Sequence, residues 1–131
     1  MPTRDEILAR RNELLDRSIA SEIAAYDFLR PPWVLYPGEH PFSIAWRMGN
    51  GEHQIMCWTR WLEGRDAGEV VAALQHFGAI PADWAWWAAE VLRLMAPGDG
   101  YVEDAYEVPF QQVREKLAAM GLAVNGEPSS E

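Results

Sequence analysis

The stretch PADWAWWAAEVLRLM, residues 81–95, decides the fold because it places three of the chain's seven tryptophans on one predicted helix. Pro81 suits the first turn of a helix, where its missing N–H costs nothing. At about 100° per residue, Trp84 and Trp87 share one face, whereas Trp86 lies about 200° from Trp84. The spacing therefore predicts that Trp84 and Trp87 enter the core, and that Trp86 is partly exposed, where an aromatic side chain can anchor an interface.

Four further segments, on both sides of this stretch, have apolar residues at helical spacing. A capping residue or a proline precedes each of them, and a glycine or a proline pair follows. The first is predicted to end before Pro31-Pro32, since neither proline can donate the helical hydrogen bond. The four segments run from Thr3 to about Leu29, from Asn50 to Gly64, from Asp66 to Gly78 and from Pro109 to Gly121.

Between the first and second predicted helices, the spacing of apolar residues changes from the helical period to every second residue. Phe42, Ile44, Trp46 and Met48 alternate with smaller or polar residues, which predicts a half-buried strand. This strand could pair with the apolar run at 33–37 in a short β-hairpin, and an extended connector is the alternative.

The chain is long enough for one domain with a buried core. Of its 131 residues, 49% are hydrophobic and 24% are charged, which argues against disorder. We expect a mainly α fold, a single globular domain over 1–124 with about five helices, optionally with one short β-hairpin after the first helix. Residues 125–131 are expected to form a flexible polar tail.

The charge balance disfavours two classes of partner. The formal net charge is −9, and the largest basic cluster is Arg10-Arg11, so we expect no nucleic-acid binding. No apolar run is long enough to span a membrane, and there is no signal-peptide pattern. Cys57 is alone and can form no internal disulfide, which fits a cytoplasmic protein. An acidic surface favours a basic protein partner, or serves solubility alone.

The sequence contains no set of residues typical of catalysis or metal binding. His53 and Cys57 lie one helical turn apart, but a zinc site needs at least three protein ligands. Cys57 lacks the local signature of a nucleophile, and the serines lack a glycine-rich elbow. We therefore expect no metal, no cofactor and no enzymatic activity.

An acidic, tyrosine-bearing segment follows the tryptophan-rich helix. Its carboxylates could meet arginine or lysine side chains of a basic partner, while its tyrosines supply rigid contact area, although a solvated connection is the ordinary alternative. Together with Trp86, the residues predicted to bind a partner are Asp99, Tyr101, Glu103, Asp104, Tyr106 and Glu107.

Arg47 is the candidate for a different kind of site. Arginine binds planar anions and stacks on aromatic rings, so Arg47 beside Trp46, with His53 as a further polar group, predicts an anion or ligand pocket. An ion pair of Arg47 with Glu39 or Glu52 is the ordinary alternative.

The central part of the chain resembles small bacterial proteins from toxin and secreted-effector neighbourhoods. The likeness rests on Pro32-Trp33, Tyr36-Pro37, the run Ser43-Ile44-Ala45-Trp46-Arg47-Met48-Gly49 and Gly51-Glu52, followed by a tryptophan-rich helix. The resemblance implies an immunity protein that binds and neutralises one cognate toxin domain. Two alternatives stay open: a small-molecule-binding protein or enzyme with a tryptophan-lined pocket, and a homo-oligomer joined through its surplus tryptophans.

Overall fold

Helices dominate the computed structural model of the chain, which describes residues 1–94 and 108–129. Within these ranges the fold is a mainly helical single domain, as predicted, with one pair of two-residue strands. The α-helices are α1 (Arg4–Tyr26), α2 (Pro32–Leu35), α3 (Gly49–Leu62), α4 (Ala67–His76), α5 (Ala85–Val91) and α6 (Phe110–Ala119); the 3₁₀ helices are Ile44–Arg47 and Ala82–Trp84; the strands are β1 (Ile80–Pro81) and β2 (Val124–Asn125).

The first helix begins as predicted and projects from the domain at its N-terminal end. The Thr3 hydroxyl accepts a hydrogen bond from the Glu6 N–H at 3.1 Å, which confirms the predicted N-cap. The helix ends at Tyr26, because Asp27 adopts a left-handed conformation with φ of 72°. Its first buried residue is Leu15, so only the C-terminal half packs on α3.

The segment predicted as a strand is a 3₁₀ helix, so the predicted hairpin is wrong. The Ser43 hydroxyl accepts the Ala45 N–H at 3.2 Å and thereby caps Ile44–Arg47. This capping bond turns the chain back on itself where the twofold alternation predicted extension. Trp46 is buried, whereas Phe42, Ile44 and Met48 are exposed at 56%, 68% and 58%.

The strands that do form lie far apart in the sequence. Strand β1 pairs with β2 in parallel, with Ile80 opposite Val124 and Pro81 opposite Asn125. The backbone N–H and the hydroxyl of Ser129 donate to the Asp83 carboxylate at 2.6 and 2.7 Å. Two residues of the predicted polar tail, Asn125 and Ser129, thus contact the domain.

Tryptophan rings form the centre of the core. Trp58 is 1% exposed, and Trp33, Trp46 and Trp61, which the sequence left undecided, are 7%, 7% and 8% exposed. Six of the seven rings make one continuous cluster with centroid separations of 5.2–6.0 Å, and most of the contacts are edge to face, a favourable geometry for aromatic pairs. The linked pairs are Trp46–Trp84, Trp84–Trp33, Trp84–Trp87, Trp33–Trp87, Trp87–Trp58 and Trp58–Trp61.

The seventh ring, Trp86, lies on the other side of α5, as the helical spacing predicts. It is half-buried, stacks obliquely on Phe110 with centroids 5.6 Å apart, and donates its indole N–H to the Val108 carbonyl oxygen at 2.8 Å. Trp86 therefore helps to join α5 to α6.

A polar junction fixes α1 against α3. The Arg30 carbonyl oxygen accepts hydrogen bonds from the Trp58 indole and the Gln54 amide, both at 2.7 Å. The Glu22 carboxylate accepts from Gln54 and from the backbone and side chain of Arg30, each at 2.9 Å. Gln54 is 4% exposed and its amide N–H groups have partners, so its burial carries little penalty.

Candidate functional site

A cavity of about 770 Å³, here called the tryptophan cavity, opens beside the aromatic cluster. Trp46, Trp84 and Trp87 line one side of it, where the 3₁₀ helix Ile44–Arg47 meets the tryptophan-rich stretch. The remaining apolar and small lining residues come from the loop before that 3₁₀ helix and from α3, α4 and the end of α5: Pro41, Phe42, Ile55, Thr59, Leu62, Ala67, Val70, Val91 and Leu92.

Two of the charged residues that line this cavity are already engaged elsewhere. The Arg65 guanidinium donates to the Trp61 carbonyl oxygen and to Glu69, both at 3.1 Å, and lies 5.0 Å from the centre of the Trp61 ring. The Asp66 carboxylate accepts the Glu69 N–H at 2.9 Å and forms the predicted cap of α4. Both residues therefore serve the α3–α4 junction.

The other three charged residues in the lining have no hydrogen bond or ion pair through their side chains within the described part of the chain. Arg47 and Arg93 are exposed, while Glu90 is half-buried. Burial raises the pKa of the Glu90 carboxyl, because the charged form loses hydration. The cavity thus combines an apolar aromatic surface with one acid and two bases that are available to a ligand.

The predicted pocket residues separate into two places. Trp46 and Arg47 both line the tryptophan cavity, and Arg47 makes no ion pair with Glu39 or Glu52. His53 faces α1 instead, where its Nε2 lies 3.0 Å from the Ser18 hydroxyl. The structure therefore brings together two of the three residues proposed from sequence.

His53 belongs to a second, more polar cleft of about 590 Å³ between α1 and α3. The Ser18–His53 pair is exposed, and no carboxylate orients the histidine ring within the described residues. A serine nucleophile needs a base that is itself held in place, so this pair falls short of a catalytic arrangement. The contact between Ser18 and His53 nevertheless links α1 to α3.

Only one of the residues predicted to bind a partner lies within the described part of the chain. Trp86 is half-buried and bonded to Val108, as described above. The acidic residues and tyrosines of that set, Asp99, Tyr101, Glu103, Asp104, Tyr106 and Glu107, lie outside the described residues.

Cys57 is part of the core. Its side chain is 1% exposed, and burial, with the nearby Glu22 charge, raises the pKa of the thiol to about 11. Among residues 1–94 and 108–129, no group of three or more histidine, cysteine or acidic side chains is placed to hold a metal ion. No helix in those ranges is long and apolar enough to cross a membrane.

Sequence reasoning missed Glu90 and Arg93 as members of the cavity. A signal for Glu90 does exist, because it lies three residues after Trp87 and so shares a helical face with a side chain that the sequence predicts to be in the core. Arg93 has no such signal, since its position depends on a left-handed backbone, with φ of 58°, after α5 ends.

The chain matches no known protein family, and neither a curated protein nor a solved structure shows significant similarity to it.

Proposed function

We propose that the protein binds a small molecule in the tryptophan cavity. The observation that carries this proposal is the coincidence, at one opening, of three tryptophans with charged side chains that have no internal partner in the described ranges. Ligand sites in proteins are typically concave and mostly apolar, with a few polar groups that orient the ligand. The cavity volume of about 770 Å³ falls in the usual range for such sites.

The aromatic wall supports an apolar, planar ligand body. Trp87 is half-buried, so part of its ring surface is available in the cavity, whereas Trp46 and Trp84 are almost fully packed behind it. Each Å² of apolar surface removed from water contributes about 25 cal/mol, and an aromatic pair adds about 0.5–1.5 kcal/mol. A flat ring laid against Trp87 therefore has a clear source of binding free energy.

A filling substitution tests this proposal without touching the core. Thr59 is exposed, lines the cavity and lies on α3, so Thr59→Trp should occupy the space from the rim. Glu52→Trp is the matched control, since Glu52 is exposed on the same helix and does not line the cavity. Binding of neutral aromatic probes such as ethylbenzene and naphthalene is followed by the protein's tryptophan fluorescence and by thermal shift.

We expect a probe to bind the unmodified protein and the Glu52→Trp variant, and to lose at least about tenfold in affinity with Thr59→Trp. Equal binding by Thr59→Trp, or no binding of any aromatic probe, neutral or charged, to the unmodified protein, would contradict the proposal.

A protein-binding role is the second candidate, and one observation favours it. Phe42, Ile44 and Met48 expose more than half of their surface on one short segment of a protein with net charge −9. Contiguous exposed apolar residues commonly mark an interaction surface, and the acidic charge favours a basic partner such as a toxin domain. In this hypothesis the protein is an immunity protein that covers and blocks that domain.

Paired capture experiments separate this role from small-molecule binding. The unmodified protein and the double variant Ile44→Lys, Met48→Lys are used as bait in extracts of the native source, with Leu14→Lys as a control at another exposed apolar position. A basic protein retained by the unmodified protein and the control, but lost by the double variant, supports this candidate. A basic protein retained equally by all three baits would argue against the segment as the interface.

A further inference from the structure

We infer that the ligand of the tryptophan cavity is amphoteric: an aromatic or branched apolar body that carries both a cationic group, for Glu90, and an anionic group, for Arg47 and Arg93. The class includes aromatic amino acids and their short peptides. This inference rests on the proposed small-molecule function and names the chemistry of its ligand.

Glu90 favours a cationic group on the ligand. Its carboxylate is half-buried in the cavity wall and accepts no hydrogen bond from any described residue. A partly desolvated carboxylate without a partner is costly, and a bound ammonium group would supply both a charge and hydrogen-bond donors. Trp87 lies one turn away and offers an aromatic ring, which also attracts a cation.

Arg47 and Arg93 bring two positive charges to the cavity, and they belong to the half of the chain's ten arginines that form no ion pair within the described residues. Ion pairs are available in a chain with twenty acidic residues, and five arginines form them. Arg47 and Arg93 form none within the described ranges, although both lie at the same opening. The five paired arginines are Arg10, Arg17, Arg30, Arg60 and Arg65.

Glu90 and Arg93 do not neutralise each other. They are three residues apart, a spacing that on a continuous helix places side chains on one face. However, α5 ends at Val91, and the left-handed backbone at Arg93 breaks the helical geometry. No Glu90–Arg93 ion pair forms in the structure, so both charges remain available in the lining of one cavity.

The presence of both an acid and two bases at one cavity disfavours ligands of a single charge. A purely anionic ligand would approach the half-buried Glu90 carboxylate, and a purely cationic one would approach two unpaired guanidinium groups. A neutral apolar ligand would leave all three charged groups unpartnered at the cavity. A molecule with both charges satisfies Glu90 and the two arginines together.

Four probes with one common phenyl body test the inference. They are L-phenylalanine, which has both charges, 3-phenylpropionate, which lacks the ammonium group, 2-phenylethylamine, which lacks the carboxylate, and ethylbenzene, which has neither. Affinities are measured on the unmodified protein by calorimetry and tryptophan fluorescence at neutral pH and low salt.

We expect L-phenylalanine to bind at least about tenfold more tightly than each of the other three probes. Glu90→Gln should reduce its advantage over 3-phenylpropionate, and the double variant Arg47→Gln, Arg93→Gln should reduce its advantage over 2-phenylethylamine. Arg114→Gln, at an arginine outside the cavity, is the matched control and should leave all four affinities unchanged.

The outcomes distinguish the inference from the function on which it rests. If ethylbenzene or a singly charged probe binds as tightly as L-phenylalanine, and Thr59→Trp blocks that binding, the amphoteric ligand is wrong and the small-molecule function stands. If none of the four probes binds, both proposals fail. If L-phenylalanine binds best but Glu90→Gln and the double arginine variant leave its advantage intact, the assignment to these residues is overturned.

Discussion

Trp46 and Trp84 donate their indole N–H groups to consecutive carbonyl oxygens, that of His40 at 3.0 Å and that of Glu39 at 3.1 Å. Their rings meet at 87° with centroids 5.2 Å apart. Two buried indoles thus find their hydrogen-bond acceptors in one turn of the chain. These bonds fix the position of that turn, which directly precedes residues at the mouth of the tryptophan cavity. The cavity wall and the turn therefore depend on each other.

The hydrogen bond of Trp58 gives a first prediction. Trp58→Phe removes the donor to the Arg30 carbonyl oxygen, whereas Trp33→Phe removes a buried indole N–H that has no hydrogen-bond partner among the described residues. Both changes shrink a buried ring, but Trp33→Phe also relieves the cost of an unpaired buried donor, so the difference reports the Trp58 bond together with that relief. We expect Trp58→Phe to lower the free energy of unfolding by about 1–3 kcal/mol more than Trp33→Phe, as measured by urea denaturation. Equal losses would show that the bond contributes nothing net.

Gly51 provides a prediction about close packing. A Cβ atom at this position would collide with the backbone carbonyl of Ala45, which cannot move without displacing the 3₁₀ helix. We expect Gly51→Ala to destabilise the fold by about 1–3 kcal/mol in thermal or chemical unfolding. Gly68→Ala, on α4, is the control and should change stability by no more than about 1 kcal/mol. If Gly51→Ala left the free energy of unfolding unchanged, α3 and the 3₁₀ helix would be able to move apart at little cost.

Glu90 predicts a pH-dependent stability. Because burial raises the pKa of its carboxyl in the folded protein, the stability cost of its charge is absent below the ordinary pKa of glutamate and develops as the pH rises through the raised value. Glu90→Gln removes that cost, so the variant should unfold at a higher temperature than the unmodified protein at pH 7. The two should converge near pH 3. A constant difference across this range would contradict the prediction.

Cys57 should be unreactive in the folded state. Its thiol is buried, and its pKa of about 11 leaves almost no thiolate at pH 8. We expect a thiol reagent such as 5,5′-dithiobis(2-nitrobenzoate) to modify Cys57 only as fast as the protein unfolds, with full reaction in urea. Rapid labelling of the native protein would indicate that the core around Cys57 opens locally.

The two capped helices should respond differently to loss of their caps. Thr3→Ala removes the cap of an exposed helical end that has no buried residue before Leu15, so it should lower helical circular dichroism with little change in the unfolding midpoint. Asp66→Ala removes the capping box of α4, whose Val70 and Leu74 are buried, and should cost about 0.5–2 kcal/mol. An equal shift of both midpoints would mean that the end of α1 is part of the cooperative unit.

Local rules predicted much of the fold. The caps at Thr3 and Asp66 and the helix closed by Gly121 were readable from sequence, because capping and helical spacing act over only three or four residues. The same geometry placed Trp84 and Trp86 on opposite sides of the helical stretch 82–91. It failed at 42–48, where the twofold alternation predicted a strand but the Ser43 cap produced a 3₁₀ helix.

The sequence by itself therefore determined the helical class, the caps at Thr3 and Asp66 and the division between Trp84 and Trp86. Tertiary structure alone decided that Arg47 and Glu90 line one cavity, that His53 faces α1, and that β1 pairs with β2. The physical reason is the distance along the chain over which each kind of interaction acts. Spacing fixes neighbours along a helix, whereas the packing of tryptophan rings from several elements decides which distant residues meet.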